Sequence, residues 1–175
     1  MSHEGAGAPA TGTGEHTMQT TSNPTGTTFW FDSQIFEVLV SSHDTGGTLS
    51  MLRQTLAPGY APPTHVHERE DQTLYVLDGS ITAWIDPHGE DRTVVSLGAG
   101  DEVHLPRGVP HAFKAGADGA RLLEINTPGG FEDFHLEVGE EPTHDGMPEQ
   151  RPPDVERMVS CSGDYGCTIL GPPPE

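Results

Sequence analysis

APGYAPPTHVHEREDQTLYVLDG, residues 57–79, sets two histidines, His65 and His67, one residue apart behind a proline-rich turn. In a β-strand side chains alternate between faces, so that spacing places both imidazoles on one side. Two imidazoles on one face make half a metal site. A second stretch, GDEVHLPRGVPHAF at residues 100–113, brings His111 onto a strand introduced by a Pro-Gly turn, with Phe113 on the same face.

Outward from these two stretches the chain reads as strands. IFEVLVSS (35–42) is β-branched and aromatic, HDTGG (43–47) punctuates it, and GTLSMLRQTL (47–56) alternates Leu49, Met51 and Arg53 against Ser50, Leu52 and Gln54. QTLYVLD, SITAWIDP, RTVVSL, DEVHLP, VPHAFKA and ARLLEINT follow, each bounded by Gly, Pro, Asp or Asn. Short strands at spacings of about 8–12 residues predict an all-β sandwich or barrel, and no long amphipathic helix interrupts them. In the strand from Gln72 to Asp78, Leu74 with Val76 and Tyr75 with Leu77 make two apolar faces, as in a central strand whose outer side meets another layer or subunit.

The flanks differ in character. Residues 1–28, rich in Gly, Thr, Ala and Ser, lack the apolar side chains that offset the entropy of ordering, and read as a disordered leader containing His3 and His16. Residues 29–138 are the expected barrel. GGFEDFHLEV (129–138) forms a short helix or a closing strand, anchored by Phe131, Phe134 and Leu136. Residues 139–175 form an acidic, proline-rich extension in which Asp154 caps a short helix and CTILG docks as an edge strand.

Acidic residues outnumber basic ones 27 to 8, for a formal charge of −19, which repels phosphate backbones and anionic lipid surfaces. Nucleic acid and membrane are therefore excluded as expected partners. The absence of a long apolar run or a secretory leader pattern points to the cytoplasm. Cys161 and Cys167 are no disulfide framework; free thiols are expected, with a bridge left open.

Gly59, His65, His67, Gln72 and Gly79 stand at the spacing of the first cupin motif, with Gln72 at the position usually held by Glu. Gly100, Pro106, Gly108 and His111 match the second, whose usual closing Asn falls on Ala115. The chain thus resembles the single-domain cupins similar to bacterial quercetin 2,3-dioxygenase, over roughly Trp30 to Val138. The resemblance implies a jelly-roll barrel with His65, His67, His111 and Gln72 around one divalent transition metal (Fe, Ni, Cu, Mn, Co or Zn), and chemistry placed at Gln72 and His111. It implies an oxygenase that takes a small enolic or phenolic substrate, with dioxygen as co-substrate, in a homodimer. A Gln amide cannot take up a proton, so a non-redox isomerase, cyclase or lyase, or a non-catalytic binding protein, stands as the alternative. Asp71 and Glu70 compete with Gln72 for the fourth place. Phe36, Leu49, Met51, Leu74, Val76, Phe113 and Leu122 are expected to wall the substrate pocket, with Phe131 and Phe134 over its mouth. His43, His88, His104, His135 and His144 read as solvated.

Overall fold

Where the sequence suggests a break at Gly79 and another at Gly116 to Gly119, the chain runs straight through as two long strands. The structure, a computed structural model, describes residues 25–175. In chain order its elements are β1 (Thr28–Phe31), β2 (Gln34–Val40), α1 (Ser42–Thr45), β3 (Ser50–Leu56), β4 (Thr64–His67), β5 (Asp71–Ile85), β6 (Thr93–Gly98), β7 (Glu102–Leu105), β8 (His111–Thr127), α2 (Glu132–Val138), α3 (Val155–Ser162) and β9 (Cys167–Gly171). The four expected short segments are thus merged into β5 and β8.

The merger has a local cause. β5 and β8 pair antiparallel along almost their whole length, with register shifts between Val76 and Asp78 and between Gly79 and Ile81. Such bulges bend a strand and sharpen its twist without ending it. Gly79 has φ 74°, and a Cβ there would sit 2.3 Å from the carbonyl oxygen of Gly119. The glycines therefore curl the ladder where a side chain would force it apart.

All ladders are antiparallel, in the order β1-β2-β3-β8-β4-β9, while β5 joins β8 and carries β6 and β7. The result is a curled jelly-roll sheet. Its inner face is filled by Phe36, Val38, Leu52, Leu56, Leu74, Val76, Leu105, Phe113 and Leu122, all buried. Each such side chain contributes about 1.5–3 kcal/mol by leaving water. On β3 the inward set is Ser50, Leu52, Gln54 and Leu56. Met51 therefore points outward and Leu49 precedes the strand half-buried, so neither belongs to the interior wall expected of them. On β5 the outer pair Tyr75 and Leu77 are 38% and 37% exposed in the single chain.

GGFEDFHLEV forms the helix α2. The buried Glu132 carboxylate fixes it by accepting the backbone N–H of Ser42 at 2.6 Å and of Gly130 at 2.9 Å. Asp154 caps α3 through the N–H of Arg157 at 3.0 Å, and β9 runs along β4 as the outermost strand. Most of the expected leader, with His3 and His16, lies outside the described residues. Its last residues continue the β1–β2 ladder: Gly26 N–H donates to Val38 at 2.7 Å and Val38 N–H to Thr27 at 3.0 Å. Among the described residues no helix is long and apolar enough to cross a membrane. Cys161 and Cys167 are free thiols.

Candidate metal centre

Antiparallel pairing places His65 of β4 directly opposite His111 at the start of β8. His67, two residues on, faces the same way. One ligand atom from each of the three lies within 4.8 Å of the others, and all three residues are buried. Their rings are held from behind: Nδ1 of His65 donates to the carbonyl of Pro63 at 2.8 Å, and Nδ1 of His111 to that of Val109 at 3.1 Å. Nδ1 of His67 is hydrogen-bonded to Glu70 Oε1 at 2.9 Å. Nε2 of His67 and of His111 is buried with no hydrogen-bond partner. Back-bonded Nδ1 atoms with convergent, unpartnered Nε2 atoms are what imidazole ligation requires, so the residues present fit a divalent transition metal.

Burial disfavours the charged imidazolium and pushes His65 down to about 3 and His67 to about 4, with His111 also well below the ordinary range. The three rings are therefore neutral, ligand-competent donors at neutral pH. The loop between β7 and β8 is docked to β4: Gly108 N–H donates to the His67 carbonyl at 2.7 Å. Arg107 grips Asp71 through its backbone N–H at 2.9 Å and its guanidinium at 2.7 Å.

That grip bears on one alternative for the fourth position. Asp71 is engaged by Arg107, whose hydrogen bonds hold its carboxyl down at about 2. Glu70 backs His67 instead of joining the three rings. Burial pushes its carboxyl up to about 7, with Glu124 adding to the rise. Gln72 points inward from β5 and is buried; its Nε2 reaches Asn126 Oδ1 at 3.5 Å and its Oε1 has no partner. Ala115 is buried in the core, His104 lies exposed on β7, and His43, His88 and His144 are exposed as expected.

His135 corrects the reading from sequence. It is buried on α2, with its ring 4.7 Å from Phe31, 5.0 Å from Phe36, 4.9 Å from Phe131 and 5.6 Å from Phe134. Its Nε2 meets Glu124 Oε1 at 3.4 Å. Glu124, 2% exposed, also accepts Asn126 Nδ2 at 2.8 Å and Gln54 Nε2. Burial alone would raise its carboxyl, but its interaction with His135 and these hydrogen bonds outweigh it and bring it down to about 2. The signal for Glu124 was present in LLEIN: period two puts it on the face of Leu122, where a charge demands a reason. α2's helical spacing, unreadable in so short a segment, hid His135.

A cavity of about 40 Å³ lies between the barrel mouth and its cover, lined by Phe31, Pro63, His65, Phe131, Phe134, His135, Met158, Cys167 and Ile169. Phe131 stands edge-on to His67, ring centres 4.2 Å apart. Phe131 and Phe134 both line this cavity. Phe36 packs on His135, while Leu74, Val76, Phe113 and Leu122 lie in the core beneath.

Comparison with known proteins agrees with this frame. Quercetin 2,3-dioxygenase of Bacillus subtilis is 25% identical over 107 residues, 61% of this chain and 30% of its own length. Quercetin 2,3-dioxygenase of Aspergillus japonicus is 27% identical over 113 residues, 62% of this chain and 31% of its own length. The chain therefore spans about a third of the length of these relatives. Among solved structures, Bacillus subtilis oxalate decarboxylase, a protein with Mn(II) centres, superposes with a TM-score of 0.55 at 19% identity, covering 85% of this chain and 41% of that one. The cupin-domain family model matches Leu52 to Asn126, the segment that holds both histidine stretches and the two long strands, and over these residues the chain is a cupin domain.

Proposed function

We propose that the protein is a metal-dependent cupin enzyme of the quercetinase-like kind, an oxygenase acting on a small enolic or phenolic aromatic or polyketide-like molecule. The observation that carries the reading is the convergence of three neutral, back-bonded imidazoles, one of which, His65, lines an apolar cavity. The 25–27% identity to quercetin 2,3-dioxygenases over 61–62% of the chain supports the substrate class. His65, His67 and His111 hold one divalent transition metal, with Gln72 Oε1 as the fourth donor. When bound, such an ion supplies Lewis acidity and, if redox-active, a route to dioxygen.

The chain's own residues supply the rest. An amide in the fourth position adds no negative charge, so three imidazoles and Gln72 favour an anionic substrate oxygen. Phe131, Phe134, Met158 and Ile169 exclude water. Ligand pockets generally measure about 300–1,000 Å³, so an aromatic molecule enters the cavity of about 40 Å³ only when α2, α3 or β9 shifts. A homodimer formed through the exposed Tyr75 and Leu77 face of β5 belongs to the same reading.

Oxygen uptake by protein loaded separately with Fe, Ni, Mn, Co or Cu, with quercetin as first substrate, is the direct test. No uptake with any of these metals and any enolic compound would end the oxygenase reading. Gln72, which cannot serve as a base, favours a second reading, a Lewis-acid isomerase, cyclase or lyase. Turnover without oxygen in zinc-loaded protein would select it.

A further inference from the structure

The unpartnered buried polar atoms of the described residues are Ser50 Oγ and Gln54 Oε1 on β3, His67 Nε2 on β4, Gln72 Oε1 on β5, His111 Nε2 on β8, His135 Nδ1 on α2 and Asp32 Oδ2. Leaving a buried donor or acceptor unmade costs about 1–3 kcal/mol, so each such atom calls for a partner. Three of these atoms, His67 Nε2, His111 Nε2 and Gln72 Oε1, are accounted for as metal-facing donors. His135 Nδ1 is not.

His135 and Glu124 form a dyad. An ionised carboxylate only accepts, so in the neutral ring His135 Nε2 carries the hydrogen shared with Glu124 Oε1 and Nδ1 keeps a free lone pair. Glu124 is oriented in turn by Asn126 Nδ2 and Gln54 Nε2, and Asn126 Oδ1 accepts from Gln72 Nε2. One chain of hydrogen bonds therefore runs from Gln72, beside the metal centre, to His135. The ring is clamped by Phe31, Phe36, Phe131 and Phe134, and it lines the same cavity as His65. A histidine serving packing alone would have both nitrogens satisfied or be replaced by an apolar residue, since isolated polar atoms in such a pocket destabilise it.

We propose that His135, oriented by Glu124, is the general base of this site, taking the proton that Gln72 cannot. This rests on the enolic or phenolic substrate class inferred above. The step is a proton transfer without electron change: the substrate O–H bond breaks, an N–H bond forms at His135 Nδ1, and the resulting oxyanion remains beside the histidine cluster. The imidazolium is paired with the Glu124 carboxylate. A neutral amide at 72 and a base displaced to α2 are then two halves of one arrangement. The ionisable groups facing His135 are Glu124 on β8, His65 and His67 on β4, and Glu70 beyond them. Of these only Glu124 is hydrogen-bonded to it.

The test uses zinc-loaded protein without oxygen, quercetin as probe, and the absorption band of the bound deprotonated flavonol followed against pH. In His135→Gln and Glu124→Gln the midpoint of deprotonation is expected to rise by about one pH unit or more, with zinc content and thermal midpoint retained. An unchanged midpoint in a folded, zinc-replete His135→Gln protein overturns the proposal. If wild-type protein binds no quercetin, the substrate class itself fails and the base assignment falls with it, a distinguishable result. Should the variants not fold, nitrogen-15 spectra of wild-type histidines decide: adding quercetin must convert the His135 ring from its Nε2–H form to the doubly protonated one. A ring that stays neutral beside a deprotonated flavonol also overturns it.

Discussion

At the scale of single residues, the centre depends on side chains that do not touch the ligand position. Glu70 orients His67 from behind, and such partners typically tune metal affinity by about 10–100-fold. Glu70→Gln is therefore expected to weaken zinc binding by roughly that factor in a chelator competition, whereas unchanged affinity would show that the strand alone orients the ring. Gln72→Glu should act oppositely, because an anionic oxygen replaces a neutral one beside three neutral rings; the same competition should show tighter zinc retention. His65, His67 and His111 were legible in the sequence because strand period and turn glycines are local properties. Glu70 sat in plain sight only as a rival ligand, since its contact with Nδ1 depends on a turn after β4 that no spacing rule describes. Glu124 and His135 meet across eleven positions and two element types, and only the packed barrel brings them together.

At the scale of elements, β4 needs both neighbours. Its ladder to β8 is the single pairing His65 to His111, while β9 pairs Gly171 with Thr64, Ile169 with His65, Thr168 with Val66 and Cys167 with His67. The C-terminal strand therefore aligns the ligand strand. Removing residues 164–175 is expected to lower zinc affinity at least about tenfold, by analogy with loss of other ligand-orienting partners; equal affinity in the shortened protein would assign alignment to β8 alone. The sequence marked CTILG as an edge strand and Asp154 as a cap, both local signals, yet carried no sign of which edge the strand joins. The fusion of β5 and of β8 was likewise hidden, because a glycine that ends a strand and one that lets two strands cross closely look alike until the opposing Gly119 carbonyl is known.

At the scale of the whole molecule, acid sensitivity follows from the buried ionisable groups. The imidazoles of His65, His67 and His111 have depressed values, so their contribution to stability is present above the unfolded value of 6.5 and is lost as pH falls toward about 4 and 3. Glu70, raised from 4.5 to about 7, and Asp32, raised from 3.8 to about 6, oppose this, since their contribution is present at low pH and lost as pH rises. Three imidazoles against two carboxyls leave the unfolded chain with the excess of bound protons between about pH 5 and 6.5. Metal-free protein should therefore show a lower urea midpoint at pH 5 than at pH 7.5, by roughly 1–2 kcal/mol; the reverse order would mean that the carboxyls dominate. The pairing of β4 with β9 also imposes an order on biosynthesis. His67 leaves the ribosome one hundred residues before Cys167, its ladder partner. At about 5–20 residues per second the nascent chain spends roughly 5–20 s with its two-histidine strand open along one edge, a window in which a chaperone or a passing metal ion meets those imidazoles before the barrel closes over them.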